Sequence, residues 1–93
     1  LVEGENFAEF VNQKNDAVAL CFSEESENIT IKKLIYGSAK NPESFAQNIF
    51  AKLREVDSMN AKEIYIHAPE KSGIGLAVYN RLIRAAAFKV IKL

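Results

Sequence analysis

Two rhythms of apolar and polar residues run along the chain. Ala17-Val18-Ala19-Leu20-Cys21-Phe22 is an unbroken apolar run of strand length, the pattern of a strand covered on both faces. Ile64-Tyr65-Ile66-His67-Ala68 is a second such run, closed by Pro69. Between them, Phe45, Ile49, Leu53 and Val56 recur at i, i+4, i+8 and i+11, with Ala46 and Phe50 alongside, which predicts one apolar stripe on a helix of four to five turns. Asn41-Pro42 places a capping residue before a proline at the first helical position, and Asn60 suits a left-handed stop. Ile74, Val78, Leu82 and Ala85 repeat the helical spacing, so a second helix runs from Ser72-Gly73-Ile74-Gly75 to about Ala87.

The remaining segments are shorter. Leu1-Val2-Glu3-Gly4 reads as a strand stump and a turn, and Phe7, Phe10, Val11 and Lys14 predict a short helix over 5–14. Residues 23–28 are polar and acidic, a surface loop whose Glu24, Glu25 and Glu27 are expected to be solvated. Ile29 to Tyr36 is β-rich and ends at Gly37; Phe88 to Leu93 either extends the last helix or adds an edge strand. The order (β)-α-β-β-α-β-α predicts a layered α/β domain with a mostly parallel sheet. One conflict stands out. Residues 23–28 are too few for a crossover, since parallel neighbours need about a dozen connecting residues or more. The strands on either side of them are therefore expected to form an antiparallel pair or not to be neighbours.

Composition narrows the function classes. The 93 residues suit a single domain over 1–93, 48% apolar and 26% charged. The start at Leu1, inside an apolar pair, fits a segment excised from a longer protein or a processed chain. Twelve basic residues balance twelve acidic ones, against a nucleic-acid-binding surface spread over the whole domain. One cysteine, Cys21, and one histidine, His67, cannot build a Cys₄ or Cys₂His₂ site, and Cys21 reads as a small core residue. No apolar run approaches the ~20 residues of a membrane span. The plain reading is a cytoplasmic chain that binds no metal.

Two stretches carry a resemblance. Residues 46–57, with Leu53-Arg54 and Asp57, and residues 73–86, with Gly73-Ile74-Gly75-Leu76-Ala77-Val78-Tyr79-Asn80-Arg81-Leu82, resemble the C-terminal domain of the long form of the YrdC-type family, the threonylcarbamoyl-AMP synthases. The family shows a Leu-Arg-x-x-Asp helix, a strand, and then a Gly-x-Gly-x-Ala-x-x-Asn-Arg-Leu-x-x-Ala-Ala helix. The match is strong over residues 42–87; the first forty residues fit the order of elements only. The resemblance implies a three-layer Rossmann-like accessory domain that gates or stabilises the active site through its linker. It also implies that catalysis belongs to an N-terminal YrdC-type domain outside this chain, a nucleotidyltransferase. That enzyme condenses threonine, bicarbonate and ATP, with a divalent metal, into threonylcarbamoyl-AMP for tRNA threonylcarbamoyladenosine formation. No catalytic residue and no cofactor then belong to this domain. Lys52-Leu53-Arg54 and Ser58-Met59-Asn60 fit letters of catalytic-domain motifs but sit together on one helix and its end, and are read as coincidence.

Within the chain, Gly73-x-Gly75 at a helix start is the sharpest candidate anion site, against a purely structural reading in which glycine permits a tight turn and close packing. Arg81 and Arg84, at i and i+3, are placed to hold a carboxylate or phosphate, or to contact another domain. His67 and Ser72 follow the end of a strand, where α/β sheets bind ligands; a lone histidine reads first as structural. Arg54 and Asp57 are spaced to pair on the helix surface. Three functions compete: a non-catalytic accessory domain that docks on its catalytic partner, a small phosphate- or nucleotide-binding module, and a docking or dimerisation module whose self-association salt weakens.

Overall fold

The computed structural model describes residues 1–93. Strand β1 (Val2–Glu3) leads to helix α1 (Phe7–Val11) and strand β2 (Ala17–Phe22). A 3₁₀ helix (Ser23–Asn28) joins β2 to β3 (Lys32–Gly37). Helix α2 (Pro42–Asp57), strand β4 (Glu63–Ile66), helix α3 (Gly73–Ala85) and strand β5 (Ile91–Lys92) complete the chain. The strands pair in the orders β3-β2-β4 and β1-β5, every pairing parallel. A parallel bridge between Val2 and His67 joins the two groups, so β1 lies beside the carboxyl end of β4.

The sheet has a layer on each face. Val18, Leu20 and Phe22 point to one side of β2 and pack with Phe45, Ile49 and Val56 of α2 and Val78, Tyr79 and Leu82 of α3. Ala17, Ala19 and Cys21 point to the other side and pack with Phe7 and Val11 of α1 and with Ile29. Every residue of β2 is buried, which is why its sequence is apolar without alternation. The predicted three-layer α/β architecture with a mostly parallel sheet is the observed one. No helix is long and apolar enough to cross a membrane.

The structure corrects several local expectations. Strands β2 and β3 are parallel neighbours, in register from Val18 with Lys32 to Cys21 with Ile35. The 3₁₀ helix rises about 2 Å per residue and the extended residues 29–31 about 3.3 Å each. Together they return the chain over the roughly 20 Å length of β2, so no full crossover helix is needed. Residues 29–31 stay outside β3 because Ile29 turns into the core beside Phe7 and Val11. Helix α1 spans 7–11 rather than 5–14; beyond it, Lys14 Nζ sits 4.7 Å from the centre of the Phe10 ring. The Asn41 side chain makes no cap; the Asn41 carbonyl instead accepts from Ser44 N (3.0 Å) and Ser44 Oγ (2.7 Å). Asn60 takes the expected left-handed conformation at φ 53°. Phe88–Leu93 resolves as a turn and an edge strand.

Candidate functional site

The β2–β3 connection leads to one side of β2, and α2 then carries the chain back to β4 on the other side. The carboxyl ends of β2 and β4 therefore flank a topological switch point, the place where open parallel sheets bind ligands. A cleft of about 500 Å³ lies there. Phe22 and Phe45 form its apolar wall, His67 and Ala68 its floor, and Glu3, Gly4 and Pro69–Lys71 its rim.

His67 is the hub of this end of the molecule. Its Nδ1 is 2.7 Å from Glu25 Oε2 and its Nε2 is 2.9 Å from the Gly4 carbonyl. Both partners are acceptors, so a ring carrying both protons donates to both. The ring stacks on Phe7 at 4.6 Å, 6° from parallel. The His67 carbonyl accepts from the Tyr36 hydroxyl, whose ionisation burial pushes far above its ordinary range. His67 thus has a carboxylate partner brought from the 3₁₀ helix after β2, and not from Glu63 or Glu70 beside it in sequence.

Glu24 and Glu25 are not merely solvated. Glu24 accepts from Ser38 Oγ, from Ala39 N (2.8 Å) and from Lys40 N (3.4 Å). The Ser38 hydroxyl, then the Ala39 amide, hold its carboxyl down at about 2. Glu25 also accepts from Phe22 N at 2.9 Å. Two successive carboxylates thereby clasp the β3–α2 loop on one side and the end of β4 on the other. On the rim, Glu3 accepts from Lys71 Nζ (3.0 Å) and Tyr79 Oη (2.8 Å). Burial raises the Glu3 carboxyl, but the hydrogen bonds from Lys71 and Tyr79 outweigh it and hold it below its ordinary range.

The sequence candidates separate in space. His67 lines the cleft; Ser72 does not, and its hydroxyl caps no backbone N–H of α3. Gly73 has a left-handed φ of 54° with open space around it, so it serves the turn into α3. A Cβ at Gly75 would lie 2.3 Å from the Glu70 carbonyl oxygen, so this glycine allows close packing of the β4–α3 loop on the helix. Arg81 and Arg84 lie away from the cleft, in a groove between α2 and α3. The Arg81 guanidinium stacks 3.9 Å from the centre of the Phe50 ring. Arg54 and Asp57 form no ion pair; Lys52 and Glu55 do, at 3.2 Å. Cys21 is fully buried, and burial pushes its thiol up to about 11. No three His, Cys, Asp or Glu side chains converge as a metal-binding group. Sequence reasoning missed Glu3, Gly4, Glu25 and Lys71. The signal for Glu25 was its position just past the end of β2, the same rule that selected His67.

Residues 2–87 match the profile described as threonylcarbamoyl-AMP synthase, C-terminal domain. A threonylcarbamoyl-AMP synthase of Pyrococcus abyssi is 40% identical over 50 residues, 54% of this chain and 15% of that protein. Among solved structures, a doubly substituted Sua5 of P. abyssi superposes with a TM-score of 0.76 at 27% identity, over 99% of this chain and 28% of that one. The C-terminal Sua5 domain of a Pyrococcus horikoshii protein, at 22% identity, shares the fold with a TM-score of 0.65, over 99% of this chain and 92% of that one. The chain thus spans less than a third of the P. abyssi Sua5 chain.

Proposed function

Because the chain belongs to the family of threonylcarbamoyl-AMP synthase C-terminal domains, we propose that it is the non-catalytic accessory domain of such an enzyme. The enzyme would make threonylcarbamoyl-AMP from threonine, bicarbonate and ATP in the cytoplasm, for tRNA threonylcarbamoyladenosine modification. Its catalysis, with the ATP and the divalent metal, would belong to an N-terminal YrdC-type domain of the same polypeptide. One observation carries the non-catalytic reading: the reactive side chains of this domain are already engaged with one another. His67 is held between Glu25 and Gly4, Lys71 by Glu3, and Glu24 by the 38–40 loop. The Cys21 thiol is buried and protonated at neutral pH. None of these forms a nucleophile–base pair open to substrate.

The accessory role would act through β1. Glu3 and Gly4, just past the point where preceding polypeptide enters, are tied to Lys71, Tyr79 and His67 at the cleft. Tension on that polypeptide would therefore be felt at the carboxyl ends of the strands. The test is threonine- and bicarbonate-dependent pyrophosphate release by the N-terminal half alone, with this chain added, and by the chain alone. A silent chain that changes the rate of the other half supports the proposal. Turnover by the chain alone overturns it.

A second reading rests on the cleft itself: its place at the switch point suits a small phosphate or nucleotide ligand. Titration of the domain with ATP, AMP and pyrophosphate by calorimetry separates the two readings, since the accessory role requires no heat of binding.

A further inference from the structure

We infer that the turn between α3 and β5 is a docking site for the polypeptide immediately preceding Leu1, with the exposed Phe88 ring as its anchor. Phe88 is the most exposed large apolar side chain in the domain, at 71%. Ala87 and Phe88 both hold left-handed backbone, at φ 53° and 63°, which is unfavourable for residues that carry a Cβ. The turn is nevertheless closed by hydrogen bonds from Phe88 N to the Ile83 carbonyl (2.8 Å) and from Lys89 N to the Ala86 carbonyl (3.1 Å). A strained, firmly closed turn thus holds an aromatic ring in water, an arrangement that packing within the domain does not reward.

The register of β1 says what covers it. Val2 pairs with Ile91, and Ile91 N donates to the Leu1 carbonyl at 2.9 Å. One step further back, Leu1 N lies 3.4 Å from the Lys89 carbonyl. Continuing this register places the residues just before Leu1 beside Lys89 and Phe88. The occupant is therefore a short extended segment that continues β1 backwards and lays an apolar side chain on Phe88. This rests on the proposal that a catalytic domain precedes the chain in one polypeptide, as the 28% coverage of the P. abyssi Sua5 chain supports.

The experiment compares full-length protein with its Phe88→Asn variant; asparagine tolerates left-handed backbone and removes the ring. Limited proteolysis reads cleavage at the junction before Leu1. Thermal unfolding of the 93-residue domain reads folding, a domain of this fold having been crystallised on its own. The expected result is a several-fold faster cleavage at the junction with no drop in the domain's unfolding midpoint. Unchanged cleavage overturns the inference, including the case in which the variant dissociates a dimer, which would assign the ring to a second copy. A lowered midpoint in the isolated domain also overturns it, by showing that Phe88 packs internally. A second variant, Phe88→Leu, should restore the slow cleavage in part. Pyrophosphate release by the full-length protein is assayed in parallel. Its absence overturns the accessory reading, whereas normal release with unchanged cleavage overturns the docking site alone.

Discussion

His67 joins segments far apart in the chain: the β1 turn through Gly4, the 3₁₀ helix through Glu25, and α1 through the Phe7 ring. Its removal takes one donor from the mostly buried Glu25 carboxylate, which keeps the Phe22 amide, and deletes the ring that packs on Phe7 and Phe22. His67→Ala should lower the stability of the domain by about 2–3 kcal/mol, measured by urea unfolding, and a loss below about 0.5 kcal/mol would remove the hub role. Together with Glu3, Glu24 contributes to the acid limb. Its folded value near 2 lies below its ordinary 4.5, so its contribution is fully present above about pH 4.5. That contribution is lost as pH falls towards 2. Glu24→Gln should therefore flatten the decline in stability between pH 4.5 and 2 while leaving its shape near neutral pH unchanged. Gly75 is limited by space rather than conformation. Gly75→Ala sets a Cβ against the Glu70 carbonyl, and the forced shift of loop or helix should cost about 1–3 kcal/mol.

At the scale of elements, the central strand carries the fold. β2 is buried along its whole length, between α2 and α3 on one face and α1 with the 3₁₀ connection on the other. Cys21 in that strand is an internal reporter. The rise of its thiol from 9.0 to about 11 alone lowers the thiolate fraction about 100-fold at neutral pH, and burial blocks the reagent as well. Labelling by a thiol reagent should accordingly wait for unfolding of the domain; rapid labelling under native conditions would place β2 in a locally opening unit instead. The short 3₁₀ connection is pinned at both sides, by Glu24 to the 38–40 loop and by Glu25 to Phe22 N and His67.

For the molecule as a whole, β1 touches both the cleft and the segment that follows α3. β1 is tied to β5 at its start and to the cleft residues at its end, so a catalytic domain placed before Leu1 would pull on both. If the accessory proposal holds, His67→Ala in the full-length enzyme should change the rate of threonine-dependent pyrophosphate release although no catalytic group of that domain is altered. An unchanged rate in a folded variant would confine His67 to stability.

The elements were legible in the sequence wherever a single period ran long enough. The stripe from Phe45 to Val56, the buried runs at 17–22 and 64–68, and the stops at Gly37 and Asn60 all report local backbone preference and one-sided or two-sided burial. The α/β class follows from these, whereas the family resemblance over residues 42–87 rests on the particular residues of 46–57 and 73–86. Partner choice was not legible. That Glu25 would meet His67, that Glu24 would fill the 38–40 loop, and that Asn41 would cap through its carbonyl depend on contacts between segments whose separation in sequence carries no signal. The parallel pairing of β2 and β3 was hidden for a related reason: the length rule assumes a helical crossover, whereas a 3₁₀ turn and three extended residues already span the strand. Local sequence therefore determined which segments are strands and helices, because their hydrogen bonds and buried faces repeat along the chain. Tertiary structure decided the switch point, the cleft and its hub, because each is built from strand ends that only the sheet order brings together.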